Sequence, residues 1–261
     1  MTWFGQTDIM TISEAAESET GKRMNGDSPE HTVQIISLLL ILAAALMFAF
    51  SMNNMPSAET VASEGSSCLV IDPGHGGIDG GAIALNGMKE SDMNLAIALK
   101  LREIAAFCGQ ESVMTREDDS CRTDYASYSE HEDLVYRTQL INAVPNGILI
   151  SIHQNNYPTS QPSGAQVLYA RGEQSKAFGE LTHQNILTYL QNENRRVAEP
   201  APGNLYITAN VNCPAILVEC GFVSNPFDLD HLMEDHYQTA FAAVLLASFL
   251  QFDTHENTSY T

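Results

Sequence analysis

Leu69-Val70-Ile71-Asp72-Pro73-Gly74-His75-Gly76-Gly77 is an apolar run that stops abruptly in a glycine-rich turn. The run reads as a buried strand. Pro73 and the glycines end its regular structure, because glycine permits positive φ and lets other groups approach closely. His75 therefore projects from the end of a strand, the edge on which open α/β sheets carry their sites. An exposed imidazole in a tight turn is the other reading, and this stretch alone does not decide between the two.

Two further runs have the same form. Gly147-Ile148-Leu149-Ile150-Ser151-Ile152 leads into His153, and Pro214-Ala215-Ile216-Leu217-Val218 leads into Glu219. Shorter strands are expected at Ser112–Arg116, Gly164–Tyr169 and Asn204–Thr208. Helical spacing of apolar residues marks four helices between and after the strands. The first is capped by Ser91 or Asp92 and runs to about Phe107. The others cover His131–Val144, Glu173–Asn192 and His236–Phe252. Strands alternate with helices, and the central strands are continuous apolar runs. That pattern predicts an α/β fold, with one mostly parallel or mixed sheet of about six strands and helices on both faces.

Upstream the chain changes character. Residues 1–32 form a polar, acidic tail whose positive charges are Lys22 and Arg23. Val33 to Phe50 is almost wholly apolar, and about 18 such residues is the lower limit for a spanning helix. Residues 33–52 are therefore expected to be a transmembrane anchor or a signal segment. Lys22 and Arg23 precede it and Glu59 and Glu64 follow it, which places the N-terminus inside and the remainder outside. A linker at 53–67, a catalytic domain at 68–253 and a short tail at 254–261 complete the expected order.

The formal net charge is −20, from 12 basic and 32 acidic residues. A phosphate-binding surface needs Lys and Arg, so nucleic acid is excluded as a partner. Cys68, Cys108, Cys121, Cys213 and Cys220 contain no Cys-x-x-Cys pair, which argues against a cysteine zinc knuckle. A disulfide such as Cys108 to Cys121 is left open by the spacing.

Parallel strands bring residues far apart in sequence to one sheet edge. His75, His153 and Glu219 meet there, and Glu90 lies one loop from His75. Two imidazoles and a carboxylate make a zinc site with an open fourth position, the form of catalytic zinc. Glu219, the spare carboxylate, would serve as general base on the attacking water. Taken singly, each residue has a plainer reading. His75 fits a turn, His153 a satisfied core histidine, and Glu90 a carboxylate at a helix N-terminus. Glu219 is harder to explain away, because a buried charge needs a partner.

Four blocks now stand together. They are the opening stretch, Lys89-Glu90-Ser91-Asp92-Met93-Asn94-Leu95-Ala96, Ser151-Ile152-His153-Gln154-Asn155, and Pro214 through Pro226. In this order, over about residues 68–252, they resemble the zinc-dependent N-acetylmuramoyl-L-alanine amidases (amidase type 3). The resemblance implies one Zn2+ held by His75, Glu90 and His153, with Glu219 as the catalytic glutamate. Asn155 matches an asparagine that follows the family's second histidine and is carried over as site support. The implied reaction hydrolyses the amide between N-acetylmuramic acid and the L-alanine of the peptidoglycan stem peptide. The glycines of the turn are expected to clear space for a glycan strand beside the metal.

Within the family the chain is most similar to the germination-related, spore-cortex amidases, which strip stem peptides on the way to muramic-δ-lactam. This implies action on the extracytoplasmic face of the membrane or in the wall, on the forespore or cortex side. The partners implied are the glycan strand with its stem peptide, an activating protein, and the membrane through the N-terminal segment. The long acidic leader departs from the pattern. Only 66 positions separate His153 from Glu219, which leaves no room for the autoinhibitory helix of some cell-division amidases. A vegetative cell-separation amidase and a non-catalytic peptidoglycan-binding homologue are the rival functions.

Overall fold

The computed structural model describes residues 67–122 and 128–258. The opening run forms β1 (Cys68–Pro73), buried along its whole length. The other strands are β2 (Ser112–Met114), β3 (Gly147–Asn155), β4 (Gln166–Tyr169), β5 (Glu199–Pro200) and β6 (Ala215–Phe222). They form one sheet in the order β2-β1-β3-β6-β4-β5. β2, β1, β3 and β6 run parallel, β4 is antiparallel to β6, and β5 runs with β4. The six-stranded mixed sheet expected from the sequence is the one observed.

The helices are α1 (Glu90–Phe107), α2 (Glu130–Asn142), α3 (Glu173–Tyr189), α4 (Tyr206–Asn210), α5 (Pro226–Leu232) and α6 (Asp235–Thr258). Alternation along the strands sorts side chains to two faces. Leu69, Ile71, Ile148, Ile150, Ile152, Ile216 and Val218 pack with Ile97 and Leu101 of α1, Phe178 of α3, and Phe241 and Phe249 of α6. Each such fully buried side chain contributes about 1.5–3 kcal/mol. The alternate residues Val70, Leu149 and Ala215 meet Ile141 of α2 and Ile207 of α4 in a much smaller cluster. The first face therefore holds the fold together. The second face can carry polar groups, and Asp72, Ser151, His153 and Glu219 share its parity.

Several local expectations are corrected. Neither Ser91 nor Asp92 caps α1. Its first residue is Glu90, and Lys89 at the cap position makes no side-chain bond. Carbonyls of the preceding loop do the work instead. Ala82 O accepts from Glu90 N at 2.8 Å and Gly80 O from Ser91 N at 3.1 Å, which satisfies the orphan amides. Asn204–Thr208 is not a strand. Its end belongs to α4, where Ile207 packs with Ile141 and Leu149, and a run this short does not fix its own period. The sheet edge is made by β5 instead. The last helix continues to Thr258, through the first residues of the expected tail. α5 went unforeseen, although Asn225-Pro226 is a sound start signal: Asn225 Oδ1 accepts from Phe227 N at 2.9 Å, with proline at the first position. Cys108 is an exposed free thiol, so no bond joins it to Cys121.

The expected segment at 33–52 lies outside the described residues, as do most of the tail and linker around it. Among the described residues, no helix is long and apolar enough to cross a membrane.

Candidate active site

Three donor side chains reach the C-terminal edge of the sheet by three routes. His75 sits in the turn after β1, Glu90 opens α1, and His153 lies within β3. His75 Nε2 is 3.3 Å from Glu90 Oε1, and His153 Nδ1 is 3.1 Å from the same oxygen. The two imidazoles meet edge to face, with centroids 5.0 Å apart. One donor atom from each residue lies within 4.8 Å of the other two. The structure thus brings together all three residues that the sequence singled out as ligands.

Each donor is held from behind. His75 Nδ1 is 2.7 Å from Asp79 Oδ2, which leaves Nε2 to face Glu90. Glu90 is 4% exposed. Its Oε1 accepts from Gln154 N at 3.1 Å and its Oε2 from Ala82 N at 3.0 Å. Asn94, one turn further along α1, donates to Gly74 O at 3.1 Å and is itself met by Gln154 Nε2. Asp79 and Asn94 escaped the sequence reading. A signal for Asp79 was present, since a metal-binding histidine commonly pairs its other ring nitrogen with a carboxylate and Asp79 is near in sequence.

Glu219 stands across the sheet from His153 as its Cα partner. Its Oε2 is buried with no hydrogen-bond partner. Burial pushes its carboxyl up to about 7, against the pull of His153. Asn155 follows a register shift in β3, its carbonyl accepts from Val223 N at 2.8 Å, and it lines the same cavity. That cavity has a volume of ≈ 370 Å³, and its walls include Tyr128, Leu134 and Tyr206.

The donor set fits a metal ion. Two imidazole nitrogens and a carboxylate oxygen converge on one point, and these are zinc's usual ligand types. Their charge balance says the same. Burial opposes a charge on His75, yet Asp79 and Glu90 outweigh it and lift the imidazole to about 10. Burial likewise opposes a charge on Glu90, and the two histidines hold its carboxyl far below the usual range. The carboxylates that hold a proton on His75 would equally favour a cation in its place.

The glycines of the turn also allow close packing. A Cβ on Gly74 would lie 2.2 Å from His153 Cε1 and Nε2, so this glycine makes room for the His153 imidazole. On Gly76 and Gly77 a Cβ would meet Ser120, Arg116 and Cys121, so these glycines let the turn close on the 116–121 segment. His75 itself has φ +61°, a conformation that costs a residue with a side chain about 1–2 kcal/mol.

A pair of imidazoles and a carboxylate, with a second carboxylate beside them in an open cavity, is the arrangement of a metal-assisted hydrolase. The comparisons with known proteins agree. The family profile described as N-acetylmuramoyl-L-alanine amidase matches residues 69–249. The chain is 32% identical to the germination-specific N-acetylmuramoyl-L-alanine amidase of Bacillus subtilis, over 83% of this chain and 92% of that one. The solved structure of the CwlD amidase from Clostridioides difficile, in complex with the GerS lipoprotein, superposes with a TM-score of 0.67 at 30% identity. It covers 71% of this chain and 98% of that one. The catalytic domain of CwlV from Bacillus (Paenibacillus) polymyxa gives 0.60 at 28% identity, over 71% and 97%. The chain belongs to the N-acetylmuramoyl-L-alanine amidase family, whose members hydrolyse peptidoglycan.

Proposed function

We propose that this chain is a zinc-dependent amidase of spore-cortex peptidoglycan, with His75 Nε2, Glu90 and His153 Nδ1 as the ligands and Glu219 as the catalytic base. The observation that carries the reading is the convergence of three donors within 4.8 Å, with the unpartnered carboxylate of Glu219 across the strand pair. When bound, zinc supplies a positive charge that acidifies water and polarises a carbonyl oxygen. Glu219 takes the proton of the attacking water and hands it to the departing L-alanine nitrogen. Asp79 keeps the His75 ring in the tautomer that presents Nε2. Asn155 lines the wall against which the substrate lies.

The cortex assignment rests on the similarity to the germination-specific enzyme and to CwlD. On this reading the product feeds muramic-δ-lactam formation. CwlD stands in complex with a lipoprotein, and this chain is proposed to work with an activating partner of that kind. Residues 33–52, as a transmembrane anchor or a signal segment, are proposed to direct the domain to the extracytoplasmic side, with Lys22 and Arg23 inside where the segment is retained.

Product analysis tests the proposal. Purified protein with zinc should release stem peptides bearing free L-alanine amino termini from peptidoglycan. Loss of the protein in its source organism should remove muramic-δ-lactam from spore walls. Cleavage within the stem peptide would overturn the amidase assignment. Normal lactam content would overturn the cortex role and favour a vegetative wall enzyme.

A further inference from the structure

We infer that Arg116 and Arg137 are positioning residues of the metal site, which act on the main chain of the turn carrying His75. The inference rests on the proposed zinc centre and adds what sets its geometry.

Both side chains are buried, at 6% and 3% exposure. Their planar forks close on three consecutive carbonyls. Arg116 donates from Nε to Pro73 O and from Nη2 to Gly74 O, each at 2.9 Å. Arg137 donates from Nη1 to Pro73 O at 2.8 Å and from Nη2 to His75 O at 2.6 Å. The φ and ψ of His75 lie between two peptide planes, one containing Gly74 O and the other His75 O. Each plane is held by a different guanidinium. The left-handed conformation of His75 is therefore fixed from both sides, and with it the direction of the imidazole.

The remaining donors tie the forks to the rest of the site. Arg116 Nη2 also donates to Ser91 O at 2.9 Å, beside Glu90. One guanidinium thus links the His75 turn to the start of the helix that carries the second ligand. Arg137 is anchored at Nε by Asp133 at 2.7 Å and at Nη1 by Asp72 at 3.2 Å. Lysine cannot replace this arrangement. Its ammonium is a point donor on a flexible stem, whereas arginine presents its N–H groups in a fixed plane.

The test measures zinc affinity by chelator competition, melting temperature without zinc, and the visible spectrum of the Co2+-loaded protein. The variants are Arg116→Lys, Arg137→Lys and the triple variant D72N/D133N/R137M, which removes the buried charge cluster together. Both lysine variants should melt near wild type without zinc, bind zinc about 10–100-fold more weakly, and give an altered cobalt spectrum. Wild-type zinc affinity and cobalt spectrum in both would overturn the inference. Should a lysine variant fail to fold, D72N/D133N/R137M decides in the same way, because it removes Arg137 together with both of its buried carboxylate partners. A wild-type chain that took up no zinc would sink the metal centre itself and this inference with it, an outcome distinct from unaltered binding in the variants.

Discussion

His153 of β3 and Glu219 of β6 are Cα partners across a parallel strand pair, so their side chains leave the sheet on one face and enter one cavity. The proposed base and one proposed ligand thus keep a spacing set by backbone hydrogen bonds rather than by a loop. Replacing Glu219 by Gln keeps the shape and removes the base. Amidase activity should fall by about 10²–10⁴-fold, with zinc content unchanged by elemental analysis. Loss of zinc together with activity would mean that Glu219 is a ligand instead.

Chelation should abolish stem-peptide release, and added zinc should restore it. The same titration should raise the melting temperature, since a ligand at 100 times its dissociation constant stabilises the folded state by about 2.7 kcal/mol. A melting temperature indifferent to zinc would show that the His75-Glu90-His153 cluster holds no ion.

Asp79→Ala leaves His75 in place but frees its Nδ1 side. Zinc affinity should weaken by about 10–100-fold, with much less effect on stability in the absence of zinc. Competition with a chromogenic chelator measures it.

Asp72 offers a pH prediction. Burial alone would raise its pKa, but Arg137 and the hydroxyls of Thr115 and Ser151 hold it below the ordinary 3.8. A depressed folded pKa stabilises the fold above the ordinary value and loses that contribution as pH falls through the folded one. Wild-type stability should therefore drop below about pH 4, and Asp72→Asn should flatten that drop. At neutral pH the variant should be less stable by about 3 kcal/mol, the low end for breaking a buried ion pair, because Asp133 still neutralises Arg137. Denaturant titrations from pH 3 to 7 decide it.

The sheet and its three long strands were legible in the sequence, because each is a largely apolar run that leads into His75, His153 or Glu219; Glu90 was legible from its place at the start of the helix that follows the turn. The turn was legible as a turn but not in its details. Nothing in Pro73-Gly74-His75-Gly76-Gly77 says which glycine faces a ligand, because the answer depends on His153 and on the 116–121 segment, both distant in sequence. Arg116 and Arg137 were hidden for the same reason. An arginine in an amphipathic stretch looks like a surface charge until the carbonyls it meets are placed beside it. α4 was misread because Tyr206 to Asn210 is too short to show a period.

Gly74 then yields a direct test. Gly74→Ala puts a methyl group 2.2 Å from the His153 ring, so that the ring or the turn must move. Zinc binding and activity should both be lost, and stability should fall by about 1–3 kcal/mol, the usual range for overpacking. Full activity in this variant would mean that the turn is far looser than its contacts indicate.

The order β2-β1-β3-β6-β4-β5 puts β3 and β6 at the centre of the sheet, each flanked by a strand on either side. Fraying works inward from the margins, so amides of this pair are the last to exchange with solvent. His153 and Glu219 ride on that slow core, while His75 and Glu90 hang from a loop and a helix start. On the zinc reading proposed above, the base and one ligand would share the slowest-exchanging part of the fold, and the other two ligands would depend on how firmly the turn and the start of α1 are pinned to it.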